Sequence, residues 1–199
     1  MGRRQAAIAI IRRMLRKIAV AVWLYALAQS LAVAEVADSA ANGFTIKIAM
    51  NIRASPADVY ARLVHSVGQW WSSEHTFSGD ARNLSIDERA MGCFCEKLPG
   101  GGSVRHMEVV FFAPGKMLRM SGGLGPLQGI GATGSMSIGL SAADGGTKLE
   151  VTYAVVGYQP QGMNAWATPV DGVLTEQFTR LKSYIETGKP AGNSGTTPH

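Results

Sequence analysis

Between about residues 77 and 158 the chain is cut every few residues by turn formers, and a long helical pattern appears only after that stretch. The punctuation is Asp80, Asn83, Gly92, the run Pro99-Gly100-Gly101-Gly102, Pro114-Gly115 and Asp144-Gly145-Gly146. It separates segments 103–112, 116–121, 134–140 and 148–156. In the last two, Met136, Ile138 and Leu140, then Leu149, Val151, Tyr153 and Val155, share one side, while Lys148, Glu150 and Thr152 face the other way. Period two marks half-buried strands, and the short turns make neighbours antiparallel. A sheet with one apolar face has to be covered.

The cover is the final helix. Thr168 is read as its cap and Pro169 as its first residue; Val170, Leu174, Phe178, Leu181 and Ile185 form the stripe, and Gly188 with Pro190 ends it. Ahead of the sheet, Phe44, Ile46, Ile48, Met50 and Ile52 alternate with polar or small residues, which gives an opening strand. Ser55-Pro56-Ala57-Asp58 then starts a helix carrying Val59, Tyr60, Leu63 and Val64, and residues 69–73 read as a second short helical turn. The expected fold class is α+β: a curved antiparallel β-sheet wrapped around a long C-terminal helix, with two short helices after the first strand.

The basic character of the chain lies in its leader. Six of the 19 Lys and Arg fall in the first 17 residues, and no acidic residue precedes Glu35. Residues 35–199 are left with 13 basic and 14 acidic side chains, too balanced to form an electrostatic footprint for nucleic acid. An uncharged run, 18–34, follows the basic stretch and ends in Ala32-Val33-Ala34. This pattern reads as a secretory signal peptide over 1–34, with an uncleaved membrane anchor as the alternative. A flexible lead-in over 35–43, a domain over 44–188 and a disordered tail over 189–199 complete the expected organisation. The expected location is outside the cytoplasm, periplasmic or extracellular, with membrane contact only through an uncleaved leader.

The order of elements resembles the helix-grip fold of the START/Bet v 1-like (SRPBCC) superfamily, which includes polyketide cyclase-like and lipid-transport proteins. Three stretches carry the likeness: the opening strand with ASPADVYARL, the centre from WWSSEHTFSGDARNLS through GCFCEKLPGGGSV, and the final VLTEQFTRLKSYIE. The resemblance implies an apolar chamber between sheet and final helix, and it implies no fixed catalytic set.

Candidate site residues follow from this frame. Trp70, Trp71, Phe77 and Trp166 suit a pocket rim or core packing equally, and Met136, Ile138, Val151, Tyr153 and Phe178 are expected to line the chamber. His75, Glu96 and His106 are the candidates for acid–base chemistry, weighed against plain structural roles, and His106 is expected to share a strand face with Glu108. The glycine-rich stretch 122–134 lacks the ending of a phosphate loop and reads as a mobile loop at the chamber mouth. Cys93-Phe94-Cys95 puts two thiols on one strand face. Residues two apart on an extended chain approach the ~7 Å limit between disulfide Cα atoms, so buried free thiols are expected. A disulfide, or a metal corner with His106 set opposite Cys95, are the alternatives.

The expected function is an exported binder or carrier of a small hydrophobic ligand, lipid or polyketide-like, needing no cofactor and no metal. A cyclase or dehydratase and a protein-interaction module with a filled core are the rivals. Cleavage is expected after Ala34, because small residues stand at 32 and 34 and Glu35 opens the charged body. N-terminal sequencing of the exported protein checks this: a mature chain beginning at Met1 and sedimenting with membranes would instead show an anchor.

Overall fold

The structure is a computed structural model that describes residues 33–192, with backbone alone at 33 and 34. The expected leader, apart from the backbone of Val33 and Ala34, and tail residues 193–199 lie outside the described residues. The strands are β1 (Val33–Ala40), β2 (Gly43–Ile52), β3 (Leu84–Ile86), β4 (Cys93–Lys97), β5 (Ser103–Ala113), β6 (Met117–Ser121), β7 (Thr133–Ala143) and β8 (Gly146–Val156). They form one curved sheet in the order β1-β2-β8-β7-β6-β5-β4-β3, antiparallel throughout. Helices α1 (Pro56–His65) and α2 (Val67–Trp70) follow β2, and α3 (Ala167–Thr187) follows β8. This is the α+β arrangement expected from the period-two strands and the single long helix, in the helix-grip order that the resemblance implies.

Strands β2 to β8 each contribute one face to one core. Phe44, Ile46, Ile48, Met50 and Ile52 of β2 are buried beside Leu149, Val151, Tyr153 and Val155 of β8, as their alternation requires. Met136 and Ile138 of β7 and Leu118 and Met120 of β6 continue the layer. Helix α3 lays Leu174, Phe178 and Leu181 onto it, while α1 adds Val59, Tyr60, Leu63 and Val64. The Ser55 hydroxyl accepts from the Asp58 amide and Pro56 takes the first turn, so α1 begins where its cap signals place it. Gly188, at φ 77°, lets the chain leave α3 in the left-handed region while its amide donates to the Tyr184 carbonyl.

Four expectations about the elements need correction. The flexible lead-in at 35–43 is instead mostly strand β1, paired to β2 from Val33↔Ala49 to Ala40↔Gly43, so the short helices follow the second strand. Among its described side chains Val36 alone packs against the core, half-buried; an edge strand can borrow its order from a well-formed neighbour without an apolar pattern of its own. Thr168 is not the cap of the last helix. The chain enters α3 directly from a 3₁₀ turn at Met163–Trp166, and that turn's geometry takes the place of a side-chain cap. Finally, the tail is not loose from residue 189: Arg180 donates to the Ala191 carbonyl at 2.7 Å, and Ser183 to the Lys189 carbonyl at 2.9 Å.

Phe178 is the central contact between α3 and the sheet layer, 2 % exposed and 6.3 Å from the Trp70 ring. Phe178→Ala is expected to cost about 3–5 kcal/mol, a large share of ordinary domain stability. Urea denaturation measures it, and a loss below about 1 kcal/mol would show that the helix is held elsewhere.

Candidate ligand cavity

The apolar layer is complete under β2, β7 and β8 but not under the β3–β5 end of the sheet. There the first half of α3 stands off and leaves a cavity of about 320 Å³. Phe94 of β4 and His106 of β5 form its sheet wall, and Val170, Val173 and Leu174 its helix wall. Trp71, Trp166 and Phe77 close the sides, with Leu124, Pro126 and Leu127 from the loop before β7. Phe77 is 55 % exposed, which places it at the mouth.

Backbone hydrogen bonds fix the aromatic walls. The Trp71 indole donates to the His75 carbonyl at 3.0 Å, and the Trp70 indole to the Arg62 carbonyl at 3.2 Å. The buried Gln177 of α3 accepts from the Ser72 amide at 2.8 Å, tying this segment to the helix. On the loop side, the Tyr153 hydroxyl accepts from the Leu124 amide and donates to the Gly122 carbonyl, both at 3.0 Å. Burial leads the causes that push the Tyr153 hydroxyl up to about 12. A Cβ at Gly134 would lie 2.8 Å from the Tyr153 ring, so glycine there makes room for this anchor.

The polar wall depends on an irregularity in the sheet. Pairing passes from Phe94↔Met107 to Cys95↔Arg105, so His106 is an extra residue, a β-bulge. The bulge turns His106 inward next to Met107, and both are buried. Glu108 therefore does not share a face with His106: it points outward and pairs with Arg105 at 2.9 Å. His106 does not stand opposite Cys95 either, which removes the metal corner.

The same bulge accompanies a second correction. Cys93 and Cys95 form a disulfide across a Cα separation of 5.3 Å, well inside the limit that a fully extended strand approaches. The pairing irregularity at Phe94/Cys95 breaks the regular extension on which free thiols were expected.

His106 Nε2 lies 2.9 Å from Glu96 Oε2, with both side chains nearly inaccessible. Glu96 also accepts from the Phe77 amide at 3.1 Å and from the Ser78 amide. Burial alone would raise the Glu96 carboxyl, but hydrogen bonds from Ser78, Phe77 and His106 outweigh it and hold it below the usual range. Burial lowers the His106 imidazole despite the opposing pull of Glu96. A carboxylate only accepts, so Nε2 carries the proton, and Nδ1 is buried with no hydrogen-bond partner. The ring is flanked by Phe94 and Phe77 at 5.1 and 5.9 Å between centroids. Towards the helix, His75 Nε2 lies 3.2 Å from Glu176 Oε2 of α3.

The candidates from sequence separate clearly. Trp71, Phe77, Trp166, His75 and His106 line the cavity, with Glu96 directly behind His106. Trp70, Met136, Ile138 and Phe178 border only an adjoining void of about 20 Å³. Val151 and Tyr153, expected in the lining, sit in solid core because Phe178 and the strand side chains fill the middle of the sheet. Sequence reasoning missed Phe94, Val173 and Leu127. Phe94 was hidden between two cysteines read for their thiols. The stretch 122–134 does reach the cavity, through residues 124–127.

No family model matches the chain, and no curated protein is similar to it. Solved structures are. The chain superposes on EF2215 of Enterococcus faecalis, a protein of unknown function, with a TM-score of 0.56 and 16 % identity over 83 % of this chain and 82 % of that one. It superposes on CalU16 of Micromonospora echinospora at 0.54 and 15 % identity, covering 80 % and 88 %. DynU16, from the dynemicin biosynthetic locus, matches at 0.52 and 17 % identity over 73 % of this chain and 48 % of its own. These likenesses establish the fold.

The Glu96–His106 pair sets an acid limit. Both groups are lowered on folding, so the unfolded chain binds more protons and stability falls with falling pH. The His106 contribution is full above the ordinary histidine value of 6.5 and is lost as pH drops below it. The Glu96 contribution persists to about its ordinary 4.5 and is lost as pH falls through the lowered folded value. His106→Gln is expected to flatten the decline between pH 7.5 and 5.5, as measured by urea denaturation at each pH. An unchanged slope would assign the decline to other groups.

Proposed function

We propose that the protein is an exported carrier of the SRPBCC type that holds a small, mainly apolar molecule between α3 and the β4–β5 end of the sheet. The cavity carries the reading. Its 320 Å³ lies within the range of small-molecule sites, and its walls are aromatic and aliphatic with a few polar groups. The relation of the fold to DynU16, a protein of a biosynthetic locus, supports a small biosynthetic product over a polymer as the guest. The signal-like leader supports export, as does a disulfide, which persists in oxidising compartments. Among the described residues no helix is long and apolar enough to cross a membrane.

A second reading, a cyclase or dehydratase, has one specific support: two carboxylate-backed imidazoles, His75 and His106, line the same cavity. The carrier reading ranks first because a neutral, desolvated imidazole fixed by a carboxylate serves recognition without any reacting partner.

A panel of fatty acids, sterols and polycyclic aromatics tests the carrier by thermal shift and native mass spectrometry. A true guest stabilises the fold by about 2.7 kcal/mol at a hundredfold excess over its Kd. Val173→Trp, which fills the cavity from the helix side, is expected to abolish the shift while the protein stays folded. A guest that binds equally well to that variant would place the site elsewhere.

A further inference from the structure

Every polar group at the sheet wall of the cavity is satisfied except one. Glu96 is saturated by Phe77, Ser78 and His106, while His106, in the wall itself, keeps an unpartnered Nδ1. An orphaned buried acceptor is costly, and ordered water or a ligand is its usual remedy. Because Glu96 fixes the proton on Nε2, Nδ1 can only accept. It thus discriminates between guests that bring a donor and guests that do not.

We propose that the cavity selects an aromatic molecule bearing a hydroxyl that donates to His106 Nδ1, with Glu96 as the positioning residue that keeps this nitrogen an acceptor. Phe94 and Phe77, which flank the imidazole, suit a planar guest lying along the same wall. The inference rests on the cavity being a ligand chamber and adds to it the chemistry of the guest.

The test uses 2-naphthol and 2-methylnaphthalene, which differ by hydroxyl against methyl at nearly equal size. An apolar pocket without an acceptor prefers the methyl compound, since the hydroxyl loses its water. The whole exported protein is expected to bind 2-naphthol about tenfold more tightly, by calorimetry or tryptophan fluorescence. His106→Phe is expected to erase that preference and to leave 2-methylnaphthalene within about twofold, whereas His75→Phe keeps it. In Glu96→Gln the side-chain amide can donate to Nε2 and move the ring proton to Nδ1. The preference should then pass from 2-naphthol to 2-methoxynaphthalene, a switch that mere loosening of the structure would not produce.

Nitrogen NMR of the wild-type protein gives a reading independent of variant folding. The proton is expected on Nε2, and the Nδ1 resonance should move with 2-naphthol and stay with 2-methylnaphthalene. If both probes bind wild type alike, or the Nδ1 resonance ignores 2-naphthol, the inference about His106 is overturned and the chamber stands. If neither probe binds, chamber and inference fall together.

Discussion

A sheet with a single apolar face and a single long helix to cover it sets the terms for this molecule. Eight strands are wider than one helix, so α3 can seal only part of the surface. Phe178 and Leu181 seal it against β2, β7 and β8, where strand side chains are large and regular. The other end is left to short pieces: a helical turn holding Trp70 and Trp71, a 3₁₀ turn at Ser73–His75, and the loop carrying Leu124 to Leu127. Short pieces carry few side chains. The cavity is the volume they leave open, and its position follows from where the helix is anchored.

Within that open end a buried carboxylate does what apolar packing cannot. Glu96 binds the backbone of Phe77 and Ser78, so the segment that closes the mouth is held to the sheet by hydrogen bonds to a charge. The same carboxylate orients His106, which reaches the interior only because the sheet is bulged at that residue. Mouth, imidazole and strand irregularity are thus coupled through one side chain. Removing it would leave two amides and an imidazole unpaired in a poorly hydrated site, a heavier loss than the one ion pair implies.

What could be read from the sequence follows the regularity of each part. The stripes on β2, β8 and α3 were legible because each side chain's direction depends only on local period. Strand β1 was not, because its order comes from its partner. The polar residues of the cavity could be picked out by type: His75 and His106 both line it, with Glu96 behind His106. Their geometry could not, since a bulge adds one residue to a strand and reverses the parity of all that precedes it. That single residue separated His106 from Glu108 and joined it to Glu96. The lining was misplaced for a different reason. Val151 and Tyr153 face the interior as expected, but facing inward does not distinguish a filled core from an open one; only the volume of opposing side chains does.

The anchoring also determines where such a chamber can open. The second half of α3 is bound on several sides: Arg180 to the Trp70 carbonyl at 3.0 Å, Lys182 to the Asn51 carbonyl, and Glu186 to the Arg53 amide at 2.9 Å. Moving the helix as a body would break these bonds and uncover the Phe178 layer. The Phe77 side chain has far less to lose. It is half-exposed and can swing without disturbing its amide hydrogen bond to Glu96, whereas the 124–127 loop is held at Leu124 by Tyr153 and at Leu127 by burial and by the bond from the Ala132 amide. Local opening draws on the least buried contacts. In the carrier reading, a guest would enter where the wall is least anchored, beside the half-exposed side chain of Phe77.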